Sequence, residues 1–219
     1  MCWNQDISIN TFLFACLALL FIFLTNTFTK YKSKTFDNPF VYLFLLVVSF
    51  MQMIEFLLWR NLKNKIINER LSKTASFLIT LQPMILMFMI PNLTIKYCML
   101  LFYLLFIIVY FEYKLIYNPI HFQTTIGKNG HLSWEWMNFT GYENIWCVIY
   151  LSFYILSAIL MNDFLLASVI ISSVLISLFY LFKYNTFSTI WCWVVNIFLL
   201  YFIIDILLIQ PYYEYNSLC

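Results

Sequence analysis

Apolar residues run in seven continuous stretches separated by polar breaks: Thr11 to Phe28, Pro39 to Trp59, Ala75 to Ile90, Tyr97 to Leu115, Ile145 to Leu160, Phe164 to Leu181 and Thr186 to Ile209. Each has roughly the length that crosses about 30 Å of hydrocarbon, the third being short and extendable to Leu71. None alternates with the two-residue period of a barrel strand, so the pattern predicts helices, which satisfy their backbone groups within each span. The expected fold is an all-α integral membrane protein, a seven-transmembrane-helix bundle forming a single domain over residues 1–219.

Only one segment breaks this pattern with features of its own. Asn118 to Asn144 holds all three glycines and both histidines, His121 and His131. Within it Asn129-Gly130 is a strong hairpin signal, because both residues tolerate the positive φ of a type I′ turn. The pattern predicts a short β-hairpin between helices 4 and 5, with Phe122 to Gly127 pairing with His131 to Trp136; the plainer alternative is an irregular loop anchored by two interfacial tryptophans. Leu132, Trp134 and Trp136 then share one face, and tryptophans favour the headgroup layer, so the hairpin is expected to lie on the membrane surface.

Composition agrees with the pattern. The 219 residues are 63% hydrophobic and only 10% charged, and mean hydropathy is +0.85, whereas a soluble domain carries about a quarter charged residues. Lipid must therefore replace water as the main solvent, and the bilayer is the first expected partner. The net charge of +2 is spread over loops with no basic tail, which leaves nucleic acid without an electrostatic footprint. Abundant Phe and Tyr beside only 3 Gly and 5 Pro fit an AT-rich coding sequence. They also leave few small residues for close helix pairs. No basic residue precedes the first span and no small-residue cleavage site follows it, so no removable signal peptide is expected. Charge counts disagree on orientation. Lys30, Lys32, Lys34 and Lys96 share one side and the other eight basic residues share the opposite one, which favours a cytoplasmic amino terminus. The first helix alone, with Asp6 before it and three lysines after it, favours the reverse.

Candidate chemistry lies in residues that lipid should exclude. Gln52, Glu55 and Trp59 form one stripe on the second helix at i, i+3 and i+7. Glu55 sits about 6 Å inside the end of its span, where an unpaired charge costs several kcal/mol, about 2.5–3.5 at a helix centre for Asp or Lys. Gln82, next to Pro83, and Asn196 lie at compatible depth. With Trp59, Trp191 and Trp193 as walls, Gln52, Glu55, Gln82 and Asn196 can border one polar cavity open to the face of the second and sixth loops. The plainer alternative is that Glu55 is protonated and that these side chains only hydrogen-bond neighbouring helices. Asp205 lies towards the opposite face, as a second gate carboxylate or as an acid that is protonated, hydrated or paired with a nearby lysine.

Other chemistries find no support. Cys2, Cys16, Cys98, Cys147, Cys192 and Cys219 show no CxxC spacing, and two histidines in one loop cannot make a three-ligand cluster. GxSxG, HExxH and phosphate-binding glycine loops are missing, and no lysine lies inside the last helix for a retinal Schiff base. The sequence thus predicts no enzymatic activity, no catalytic residue, no metal ion and no cofactor.

MQMIEFLLWRN, SFLITLQP, NGHLSWEW and TIWCWVVN resemble stretches in a family of uncharacterised seven-helix multi-pass membrane proteins of large DNA viruses of eukaryotes. The resemblance implies a seven-helix fold and a place in a host endomembrane or virion membrane, but no reaction. By analogy, heptahelical transporters built from two three-helix repeats offer a comparable architecture, and FLLWRN at 56–61 faintly echoes YLFKYN at 180–185. Two functions lead, ahead of an intramembrane enzyme, for which paired acid and base or metal ligands are missing from any single level. One is transport or conduction of a small solute or ion past Glu55. The other is a receptor-like or structural role in which the 118–144 loop binds a partner, with Asn129, Gly130, His131, Trp134 and Trp136 at its surface.

Overall fold

The computed structural model describes residues 4–117, 120–137, 144–181 and 191–217. Seven helical rods dominate them: α1 (Gln5–Phe28), α2 (Pro39–Asn61), α3 (Lys65–Phe88), α4 (Leu93–Tyr117), α5 (Asn144–Leu160), α6 (Phe164–Leu181) and α7 (Trp191–Ile204). The last rod continues through a π-helical stretch, Asp205–Ile209, into α8 (Gln210–Ser217). Five rods, including Trp193–Asn216, are long and apolar enough to cross a membrane, and α5 is a shorter apolar helix.

Local sequence explains the ends. Asn4, Asn38 and Asn64 cap α1, α2 and α3 by accepting from the backbone N–H of Ile7, Phe40 and Ile67, and Pro39 begins α2 where its missing N–H costs nothing. Helix α3 begins ten residues before Ala75, at Lys65. Its first turns carry Lys65, Glu69, Arg70 and Lys73, with Lys73 paired to Glu69 at 2.5 Å, so this part reads as a loop to a hydropathy scan yet folds as helix.

Consecutive rods pack as neighbours, and α7 closes the arrangement by packing against α1, α2 and α6. Helix α2 lies deepest. Its Val41, Phe44, Leu45 and Val48 join Ala15, Ala18 and Ile22 of α1 and Phe198, Leu199 and Phe202 of α7 in the largest apolar cluster. Helix α4 lies outermost, burying only Tyr103 and Lys114. Large apolar side chains point outward all round, Leu17, Phe77, Phe102, Phe164 and Leu208 among them, an apolar exterior that water-soluble monomers do not tolerate.

Two antiparallel strands, β1 (Thr124–Ile126) and β2 (Leu132–Trp134), form the expected hairpin, with Thr124 opposite Trp134 and Ile126 opposite Leu132. Its turn and its position both correct the sequence reading. Within the turn Gly130 has positive φ, +78°, and Asn129 does not. The Gly130 N–H donates to the Gly127 carbonyl at 2.9 Å and the Gly127 N–H to His131 at 2.7 Å. This is a β-turn followed by a left-handed glycine bulge, rather than the two-residue type I′ turn. Trp136 leaves the strand for a 3-10 turn, Glu135–Met137.

The hairpin turns its β2 side inward, while Thr125 and Ile126 of β1 stay exposed. Leu132 is fully buried and Trp134 and Trp136 are 2% and 6% exposed. They pack with Met51, Ile54 and Leu58 of α2, Ala75 of α3, Cys147 and Leu151 of α5 and Val174 of α6. It plugs one end of the bundle. The two indoles stack at 5.0 Å, so their hydrophobic area is spent inside the protein instead of at a headgroup layer.

Candidate functional site

The plug is held by one side chain that behaves as a strand. Asn68, on the polar first part of α3, donates its amide to the Thr124 carbonyl and accepts from the Thr124 N–H, both at 2.9 Å. Ser72, one turn on, meets the Thr124 hydroxyl at 2.8 Å. All three residues are buried, so β1, whose outer edge would otherwise be orphaned, is satisfied inside the bundle. Sequence reasoning missed Asn68, Ser72 and Thr124. The signal was present as two polar residues at i and i+4 on a stretch otherwise marked by charge.

His131, in the turn, is 8% exposed. Burial pushes its imidazole below the ordinary histidine range, which keeps it neutral at neutral pH. Asn129 accepts from the His131 N–H at 3.3 Å, stiffening the turn as an Asx contact.

Beneath the plug, Glu55 and Gln52 of α2 are 0% exposed. Glu55 lies roughly 9 Å inside the end of its helix, deeper than the sequence suggests because α2 runs on to Asn61. Asn196 of α7 is buried, and its amide reaches the Gln52 side-chain oxygen at 3.5 Å. Gln52 and Asn196 are therefore brought together across α2 and α7. Gln82 is engaged elsewhere, accepting from the Tyr154 hydroxyl of α5. Trp59 borders the cluster under the hairpin, and its indole N–H is buried without a hydrogen bond. Trp193 and Asn196 line a groove of about 290 Å³ between α1 and α7, together with Asn10 and Thr11. The Trp191 side chain and the 180–185 echo fall largely outside the described residues.

Three tyrosines that the sequence reading did not single out tie α3 to its neighbours. Pro83 has no N–H to give the Ile79 carbonyl. The Tyr150 hydroxyl of α5 donates to that carbonyl at 2.9 Å, while Tyr103 of α4 donates to Thr80 at 2.7 Å. The freed carbonyl is thus answered and α3 stays continuous. Tyr150→Phe is expected to leave that carbonyl orphaned at a cost of about 1–3 kcal/mol, seen as a lower melting temperature of the purified protein; an unchanged melting temperature would show that another donor takes over.

At the opposite end Asp205 accepts from the Gln210 amide at 2.7 Å, and that amide also reaches the Lys32 carbonyl at 3.3 Å. Lys30 pairs with Glu214, which also accepts from the Tyr31 hydroxyl at 2.7 Å, and the carboxylate beside it holds the Lys30 ammonium above its ordinary range. These contacts tie the end of the last rod to the first loop. Among the described residues no three His, Cys, Asp or Glu side chains converge on a metal position.

No family profile matches the chain, and no curated protein or solved structure matches it. The functional reading therefore rests on the geometry of these residues.

Proposed function

We propose that this chain is a multi-pass membrane protein with seven crossing helices that conducts a small solute or ion past Glu55, and that the docked hairpin is its gate in the closed position. The observation that carries this reading is the complete burial of the Glu55 carboxyl on the part of α2 whose Met51, Ile54 and Leu58 seat the hairpin. A carboxyl placed there is costly in an apolar interior and is typically kept where ions, protons or substrates pass. The Gln52–Asn196 contact lies one turn deeper and supplies further polar groups on the same path. An intramembrane enzyme has less in its favour, since paired acid and base groups are not gathered at one level among the described residues. The loop as a docking surface also loses support, because Leu132, Trp134 and Trp136 are spent on packing. The likeness of four stretches to viral seven-helix proteins is a likeness of sequence, and we extend it to a viral origin only as part of this proposal.

Glu55→Gln keeps shape and hydrogen-bonding capacity while removing titration. In reconstituted vesicles assayed for proton, alkali-ion and small-solute flux, the variant is expected to fold normally and to lose or shift the pH dependence of the flux. A pH profile identical to that of the unaltered protein would reduce Glu55 to an interhelical contact.

A further inference from the structure

A polar pocket of about 410 Å³ opens where α2 and α6 begin and α5 ends, lined by Lys34, Thr35, Asn38, Asn162 and Asp163 over Met89 and Met161. It adjoins a second, mainly apolar groove of about 370 Å³ that follows α5 and α6 past Ile159, Ala167 and Ile171. The two share Asn162, Asp163 and Phe164. Ile171 lies eight residues beyond Asp163, so the groove descends about 12 Å from the pocket along α6. A polar chamber continuous with an apolar channel of that depth matches one kind of molecule, a lipid with its headgroup at the end of the bundle and an acyl chain along the helices.

The charges narrow the headgroup. Lys34 is exposed and forms no ion pair among the described residues. Asp163 uses one carboxylate oxygen to accept from the Leu166 N–H at 3.0 Å, capping α6, and its other oxygen takes no hydrogen bond among the described residues. The left-handed turn at Asn162, φ 60°, sets Asp163 at the pocket's edge. The pocket therefore offers one cation and one anion, which complement a zwitterion. A primary ammonium can donate hydrogen bonds to Asp163, whereas a quaternary one needs an aromatic cage, and Phe164 is the single ring in the described lining. From this geometry we infer that the pocket and groove bind a phospholipid with an ethanolamine headgroup, its phosphate on Lys34, its ammonium on Asp163 and one acyl chain between α5 and α6. The site is independent of conduction past Glu55.

Native mass spectrometry of the purified full chain, given equal amounts of phosphatidylethanolamine, phosphatidylcholine and phosphatidylglycerol, tests this directly. Phosphatidylethanolamine is expected to be retained about tenfold over the other two, the worth of one charge-assisted hydrogen bond. Lys34→Glu should lower retention of all three lipids, since each carries the phosphate that Lys34 holds. Asp163→Asn, which keeps the helix cap, should make phosphatidylethanolamine and phosphatidylcholine equal. Ser168 also lines the groove, and Ser168→Trp, which fills it, should lower retention of phosphatidylethanolamine while leaving the melting temperature unchanged. Soluble glycerophosphoethanolamine should not displace the bound lipid. Equal retention of all three lipids, preference for phosphatidylglycerol, indifference to Lys34→Glu, or displacement by the soluble headgroup would each overturn the proposal.

Discussion

Asn68→Leu is expected to free the β-hairpin from the bundle while leaving the helices in place. The substitution removes both hydrogen bonds to the Thr124 peptide, and water cannot easily replace them at a buried position. Each orphaned backbone group costs about 1–3 kcal/mol, comparable to the worth of much of the hairpin's packing. Ser72, which also contacts Asn68 at 3.3 Å, cannot bridge the gap alone. Hydrogen exchange should show loss of protection at Thr124 and across β1, and limited trypsin digestion should cut at Lys128. Asn68→Asp keeps the acceptor for the Thr124 N–H and loses the donor, so it should fall between. Unchanged exchange at Thr124 in the leucine variant would mean that apolar packing alone seats the hairpin.

Trp134→Ala should be the most destabilising single change in the plug. Trp134 is among the largest fully enclosed side chains, stacked on Trp136 and packed over α2 and α5. Truncating such a residue costs about 3–5 kcal/mol when the surroundings cannot collapse. A tryptophan half-wet at a headgroup layer, as the strand pattern alone suggests, would move stability by no more than about 0.5 kcal/mol. Thermal unfolding of the alanine variant in detergent separates these two placements.

The contrast marks what the sequence makes legible. Runs of apolar residues long enough for a bilayer and without two-residue alternation become helices because a helix satisfies its backbone groups within the span, and Asn38-Pro39 announces the start of α2 to the residue. Asn129-Gly130 announces a hairpin. It cannot announce the turn type, because Lys128 and Asn129 can occupy an ordinary β-turn once Gly130 absorbs the left-handed position. Nor does it announce where the hairpin goes. Its partner Asn68 lies among Lys65, Glu69, Arg70 and Lys73, and charge on the outer face of α3 hides the polar side chains on the inner one. Gln52, Glu55, Gln82 and Asn196 stand out because lipid excludes such residues. Their pairing was not legible, since helix order and rotation decide that Asn196 meets Gln52 while Gln82 meets Tyr154. Tyr103, Tyr150 and Tyr154 read as bulk until Pro83 is followed back four residues to the carbonyl it frees at Ile79.

Locking the hairpin tests most directly whether it closes the proposed path past Glu55. The Ser72 and Thr124 side-chain oxygens lie 2.8 Å apart, so cysteines at both positions bring their sulfur atoms close enough for a disulfide across the docked hairpin. In reconstituted vesicles the Ser72→Cys, Thr124→Cys double variant should conduct when reduced, stop when oxidised, and recover on reduction, while each single variant ignores the oxidant. Flux that continues unchanged through the oxidised double variant, with the crosslink verified by mass spectrometry, would contradict the account.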